Sequence, residues 1–231
     1  VIFGMMNFKI SYLIIVLALF VNSCKSEKKV RVLPIIGNYD LSYDTIDGKE
    51  VVDTVYPKIP NFRFLNEDSV WVSNKAFKNK IWIAEFFFAS CPTICPVMNK
   101  QMNRFAKDTK KFSKEYQILS FTINPEDDSP SVLKNYKKAH QIKAKNWSFL
   151  TGVAEDQVHS LGIENFKTFA GRDEESEGGY AHSGAFTLVD KEGYVRGVYA
   201  ITNYDSSINE YEYQRLIKDF KRLLKYEYNV E

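Results

Sequence analysis

The stretch from Ile81 to Ala89 is a nearly continuous apolar and aromatic run. It has neither the alternation of a half-exposed strand nor the spacing of an amphipathic helix, so it predicts a strand buried on both faces. Such a strand needs a layer above the sheet and another below, and the residues that follow can supply them. Pro96 to Phe112 sets Met98, Met102, Phe105 and Phe112 on one side at helical spacing, with lysines opposite. Gln117 to Ile123 reads as a second buried strand. Ser129, followed by Pro130, carries the signature of a helix start, and that helix reaches to about His140. Trp147 to Leu150 predicts a short strand, and Ala154 to Leu161 a short helix ended by Gly162.

Downstream, Ser183 to Asp190 and Tyr194 to Ala200 form a hairpin around Lys191-Glu192-Gly193, and Ser207 to Tyr228 is an amphipathic helix. Upstream, Phe62 to Ser73 predicts a hairpin, and Leu33 to Tyr56 loops with a further hairpin. Strands alternating with helices give parallel βαβ units, and the late hairpin adds antiparallel strands. The sum is an α/β protein with a thioredoxin-like fold: a central mixed sheet flanked by helices, with an N-terminal hairpin extension.

The beginning of the chain follows different rules. Lys9 precedes an apolar run from Ile10 to Val21, and Asn22-Ser23-Cys24 follow. A basic start, a short apolar segment and a small residue before a cysteine are the layout of a bacterial lipoprotein signal. The run is shorter than the roughly 20 apolar residues that span a bilayer. The expectation is cleavage before Cys24 and a lipid on its sulfur, which makes Cys24 the membrane anchor and places the body outside the cytoplasm. An uncleaved anchor with an incidental cysteine is the alternative. The expected organisation is therefore 1–24 as signal and anchor, 25–58 as tether and N-terminal extension, and 59–231 as the folded domain. With 31 Lys and Arg against 29 Asp and Glu, interleaved along the chain, no nucleic-acid partner is expected.

Chemistry is concentrated in the cysteines, of which there are three. With Cys24 lipidated, Cys91 and Cys95 remain, in Ala-Ser-Cys-Pro-Thr-Ile-Cys-Pro between a buried strand and a helix. The helix N-terminus favours thiolate over thiol there, and Pro96 suits the first helical turn. A disulfide closing so short a loop would stabilise little, so the pair reads as functional rather than structural. As ligands, two thiolates suit copper(I), which needs one more donor and takes imidazole. Of the three histidines, His140 is expected in solvent at a helix end, and His159 in a surface or capping role. His182 follows the polar, glycine-containing loop Gly171 to Gly179, which could swing it toward the cysteines. It is the candidate third ligand, with a hydrogen-bonded strand-edge histidine as the alternative.

Four segments in order resemble the Sco/SenC family: Phe86 to Pro96, Phe121 to Pro130 with its helix carrying Leu133 and Tyr136, Trp147 with Leu150-Thr151-Gly152, and Tyr180-Ala181-His182-Ser183 leading into Phe186 to Asp190. The resemblance runs from about Ile59 to the C-terminal helix. It implies copper, as Cu(I) or Cu(II), held by Cys91, Cys95 and His182, with Pro92, Pro96, Asn124 and Tyr180 bordering the site. It also implies a role in assembling the CuA site of cytochrome c oxidase, so that the oxidase subunit carrying CuA is the expected partner. One position departs: the family usually has Asp before the proline at Pro125, and this chain has Asn124. Two other classes fit a cysteine pair. A thiol–disulfide oxidoreductase without metal would more often use Cys-x-x-Cys and would not need His182. A thiol peroxidase would use one low-pKa cysteine.

Overall fold

The computed structural model describes residues 31–203 and 205–230. The expected signal and its Cys24 lie outside the described residues. Among those described, no helix is long and apolar enough to cross a membrane.

The order of elements is β1 (Asp40–Ile46), β2 (Lys49–Val55), β3 (Arg63–Asn66), β4 (Trp71–Ser73), β5 (Ile81–Phe87), α1 (Cys95–Asp108), β6 (Tyr116–Thr122), α2 (Pro130–Ala139), β7 (Trp147–Thr151), α3 (Glu155–Ser160), β8 (Ala170–Arg172), β9 (Tyr180–His182), β10 (Ala185–Val189), β11 (Val195–Ala200) and α4 (Glu210–Arg222). Seven strands make one sheet in the order β11-β10-β5-β6-β7-β3-β4. The central trio β5-β6-β7 is parallel, and the outer pairs are antiparallel. This is the mixed sheet that the alternating pattern predicts. All seven residues of β5 and all seven of β6 are buried, as expected for strands with helices on both faces.

Element ends follow local chemistry. Pro130 opens α2 behind Ser129, whose side chain accepts the Val132 N–H. The first long helix stops at Asp108, short of the predicted Phe112. There the Thr109 hydroxyl donates to the Phe105 carbonyl and accepts from the Tyr116 hydroxyl, and the chain tightens into a 3-10 turn at Lys110–Phe112. Gly162 does not end the helix after β7. The chain continues through Leu161–Asn165 in a wider π-type turn, and a Cβ at Gly162 would lie 3.1 Å from the Phe86 ring. The glycine there serves close packing. The C-terminal helix likewise ends in a π-type turn at Leu223–Glu227.

The largest difference lies between Gly171 and Gly179. Instead of an open loop, β8 and β9 pair antiparallel as a separate two-stranded sheet, with Arg172 opposite Tyr180 and Ala170 opposite His182. Three residues per strand are too few to show a period in the sequence. At the other end of the domain, β1 and β2 form the N-terminal hairpin around Asp47 and Gly48, both with positive φ as a tight hairpin turn requires.

Candidate metal centre

Parallel β5 and β6 end side by side, and the crevice beyond such carboxyl ends is where α/β sheets place their chemistry. The chain leaves β5 through Phe88 and turns at Ala89–Ile94 into α1. Asp128 fixes this corner. Its carboxylate accepts the Ala89 N–H at 2.9 Å and the Thr122 hydroxyl, which ties the cysteine turn to the end of β6. Burial pushes the Asp128 carboxyl up. Sequence reasoning missed this residue, because nothing in an acidic run separates a buried corner carboxylate from a solvated one.

Cys95 is the first residue of α1, with Pro96 behind it, and Cys91 closes the turn through its N–H to the Phe88 carbonyl at 3.2 Å. Both thiols are free, with Cys91 8% exposed and Cys95 1%. His182, at the end of β9, brings Nε2 to 3.1 Å from Cys95 Sγ and 4.0 Å from Cys91 Sγ. One donor atom from each of the three residues lies within 4.8 Å of the others. The Nδ1 of His182 faces its neighbour's carbonyl, Ser183 O, at 3.4 Å. Nε2–H can donate to a thiolate here, and moving that proton to Nδ1 would leave the Nε2 lone pair directed at the sulfurs, the tautomer that a metal-binding imidazole needs.

The two thiols are driven apart electrostatically. Hydrogen bonds from the Cys95 thiol and from His182 outweigh burial at Cys91 and pull it down to about 3. Burial, followed by the proximity of Cys91, pushes Cys95 well up. The corner therefore presents a thiolate beside a thiol. A soft dithiol–imidazole set of this kind fits a soft ion at low coordination number, and copper(I) is the first-row ion it suits best.

The other sequence candidates take distinct places. Tyr180 packs its ring on Phe88 at 5.3 Å and donates its hydroxyl to Glu155 Oε2 at 3.0 Å. Pro92 lies on the exposed side of the cysteine turn. Asn124 is buried but bonds within the turn after β6: its amide donates to Asp127 Oδ2 at 2.8 Å, and its N–H to the Thr122 hydroxyl. A carboxylate could not make the first of these bonds. His140, expected in solvent from the sequence, is instead partly buried. Its ring lies 4.2 Å from that of Tyr136, and burial lowers its pKa. His159 is also partly buried, with Nε2 2.8 Å from the Ile123 carbonyl. Phe88 and Tyr180 line a cavity of about 580 Å³ with Cys91, His182, Thr93 and Thr202, so the thiolate faces an open space.

A mixed sheet flanked by helices, with a cysteine pair at the mouth of the helix after its central strand, defines a thioredoxin-like protein carrying a dithiol–imidazole centre. More specifically, the chain belongs to the SCO1/SenC family, whose model matches residues 53–216. It is 31% identical over 166 residues to the SCO1 protein homolog of Bacillus subtilis, covering 71% of this chain and 86% of that one. A SCO1/SenC family lipoprotein from Bacillus anthracis superposes with a TM-score of 0.63 at 30% identity, covering 72% of this chain and 94% of that one. BsSco, described as a member of the Sco family of cytochrome c oxidase assembly proteins with a disulfide switch, gives 0.60 at 31% identity, covering 71% and 91%. Yeast Sco1 with copper bound shares the fold at a TM-score of 0.54 and 24% identity, covering 70% and 87%.

Proposed function

We propose that this protein is a copper chaperone of the bacterial cell envelope, tethered to the membrane by lipid on Cys24 and facing the periplasm. Copper is its cargo, held by Cys91, Cys95 and His182. Its partner is the cytochrome c oxidase subunit that carries CuA, to which it delivers copper or whose cysteines it reduces. The observation that carries the reading is the convergence of His182 on two cysteines far away in sequence, with Nε2 3.1 Å from Cys95 Sγ. A metal-free oxidoreductase has no need of that imidazole. Two relatives point the same way, yeast Sco1 solved with copper bound and BsSco, of a family of oxidase assembly proteins.

In this reading copper is handed on by ligand exchange. The cavity beside Cys91 admits an acceptor thiolate, which replaces one donor at a time while His182 leaves. The same pair supports a second activity, favoured by its free thiols. The Cys91 thiolate attacks an acceptor disulfide, forming a mixed disulfide and releasing one acceptor thiolate. Cys95 then loses its proton and attacks Cys91 Sγ, releasing the second acceptor thiolate and closing the Cys91–Cys95 disulfide. Two electrons pass to the acceptor, and the oxidised pair no longer binds copper.

The test is titration of the reduced protein with Cu(I) and Cu(II), comparing wild type with His182→Ala. Stoichiometric binding with thiolate-to-copper absorption, weakened by the substitution, is expected. Absence of binding alongside fast disulfide reduction would leave only the metal-free oxidoreductase.

A further inference from the structure

His182 is carried by a structure that cannot hold it in place unaided. β8 and β9 pair only with each other, and neither is bonded into the seven-stranded sheet. An isolated two-stranded hairpin is marginal in water. The position of the imidazole over the cysteines must therefore be set by what the hairpin is fastened to.

At one end β9 leads into Gly184, whose carbonyl accepts the Ile201 and Thr202 N–H groups, and Arg172 lies 3.6 Å from the exposed Glu126 carboxylate. The fastening that takes hold of both strands at once is Glu155. Glu155, in the first turn of α3, receives Arg172 through two bonds, Nε to Oε1 at 2.6 Å and Nη2 to Oε2 at 2.6 Å. It also receives the Tyr180 hydroxyl at Oε2, 3.0 Å away. Arg172 and Tyr180 are directly opposite each other in the β8–β9 ladder, so a single side chain grips both strands of the hairpin. The Arg172 guanidinium also lies over the Tyr180 ring, 5.3 Å from its centre. Bidentate geometry fixes direction as well as distance. Tyr180 and His182 are two apart on one strand and so share a face, which means that what orients one orients the other. On the inner side Phe88 touches both rings, with centroids 5.3 Å from Tyr180 and 5.9 Å from His182.

The anchor for the clamp is itself secured. His159, on the same helix, bonds to the Ile123 carbonyl at the end of β6, and its Nδ1 lies 3.9 Å from Glu155 Oε1. Hydrogen bonds thus run from the core sheet through α3 to the hairpin. Glu155 is only 16% exposed, whereas Arg172 is 59% exposed and within reach of a docking partner.

We propose that Glu155 is the positioning residue for His182: the clamp it forms with Arg172 and Tyr180 holds the imidazole over the cysteine pair, and opening the clamp withdraws it. This rests on His182 being a copper ligand, and it adds a place where an acceptor can act. A partner that competes for the exposed Arg172 with its own carboxylate would loosen the hairpin and free the cargo.

The experiment has two arms on the full, reduced chain. In the first, Cu(I) affinity is measured by competition with a chromophoric chelator for wild type, Glu155→Ala, Arg172→Ala, His182→Ala and the Glu155→Ala/His182→Ala double variant. Glu155→Ala and Arg172→Ala should each weaken binding about tenfold, and Glu155→Ala should add nothing once His182 is gone. Equal weakening in both backgrounds would overturn the clamp, because the effect would then not pass through His182. In the second arm, amide hydrogen exchange across 170–182 is followed without metal. Exchange about tenfold faster in Arg172→Ala supports the clamp, and unchanged exchange overturns it. If His182→Ala binds copper as wild type does, the ligand reading itself fails, and the result is distinguishable because the exchange arm holds no copper.

Discussion

Glu85 interrupts the apolar run of β5, and its side chain points into the core rather than out of it, 1% exposed. Oε1 accepts the Ser120 hydroxyl at 2.6 Å, Ser120 in turn accepts the Trp147 indole N–H, and Oε2 has no hydrogen-bond partner. Burial pushes the carboxyl up to about 7, against an ordinary 4.5. The sign follows from linkage. Between those values the unfolded chain has lost the proton while the folded one keeps it, so stability falls as pH rises through that window and stays lower above it. The loss is about 3 kcal/mol over the window, at roughly 1.4 kcal/mol per pH unit. Glu85→Gln carries no such charge in either state. It is expected to melt higher than wild type at pH 8 and to lose that advantage by pH 4.5. Parallel melting profiles for the two proteins would show that Glu85 ionises normally.

Among the elements, the β8–β9 hairpin stands outside the main sheet and has the most consequence. Its turn passes over Phe88 at Gly178, where φ is +88° and a Cβ would come within 2.8 Å of Phe88 Cε2. Gly179 has φ of +76° but open space around it. Alanine at 179 meets only backbone strain, of about 1 kcal/mol, whereas alanine at 178 meets strain and a ring that also packs on Tyr180 and His182. Gly178→Ala should therefore weaken Cu(I) binding several-fold more than Gly179→Ala, with little difference in global melting temperature. Equal effects would place the constraint in the backbone alone. The hairpin was not legible in the sequence for the same reason that it is weak: its strands are too short to carry a pattern. The predicted open loop is corrected to a paired hairpin. The central strands were legible, because continuous apolar runs have few other destinations.

At the scale of the molecule, the segment before β1 is bonded to the far end of the sheet. Arg196 is fully buried between Asp190 and Glu227, and its guanidinium also donates to the Leu33 and Pro34 carbonyls. Ile36 N–H reaches the Val195 carbonyl, at the opposite end of β11 from Ala200, which pairs with Ala185 close to His182. Leu33 to Ile36 are thus held toward the end of β11 away from the metal centre, on the chain that the proposed lipid on Cys24 would anchor. Cys24→Ala is expected to release the protein from membranes while leaving its Cu(I) affinity unchanged. A fall in affinity would make Cys24 a ligand and not an anchor.

The mixed sheet and the cysteine corner at the mouth of a helix were legible in the amino-acid order, because they depend on hydrophobic period, proline placement and residue type, all of which are local. The residues nominated His182 among three histidines, and the likeness to the Sco/SenC family singled it out. Only the tertiary structure decided how the imidazole is held and which buried groups serve the corner. Asp128, Glu155 and Glu85 look like ordinary acids in sequence. What makes them distinct is the set of distant donors each one meets, or fails to meet, once the sheet and helices have closed around it.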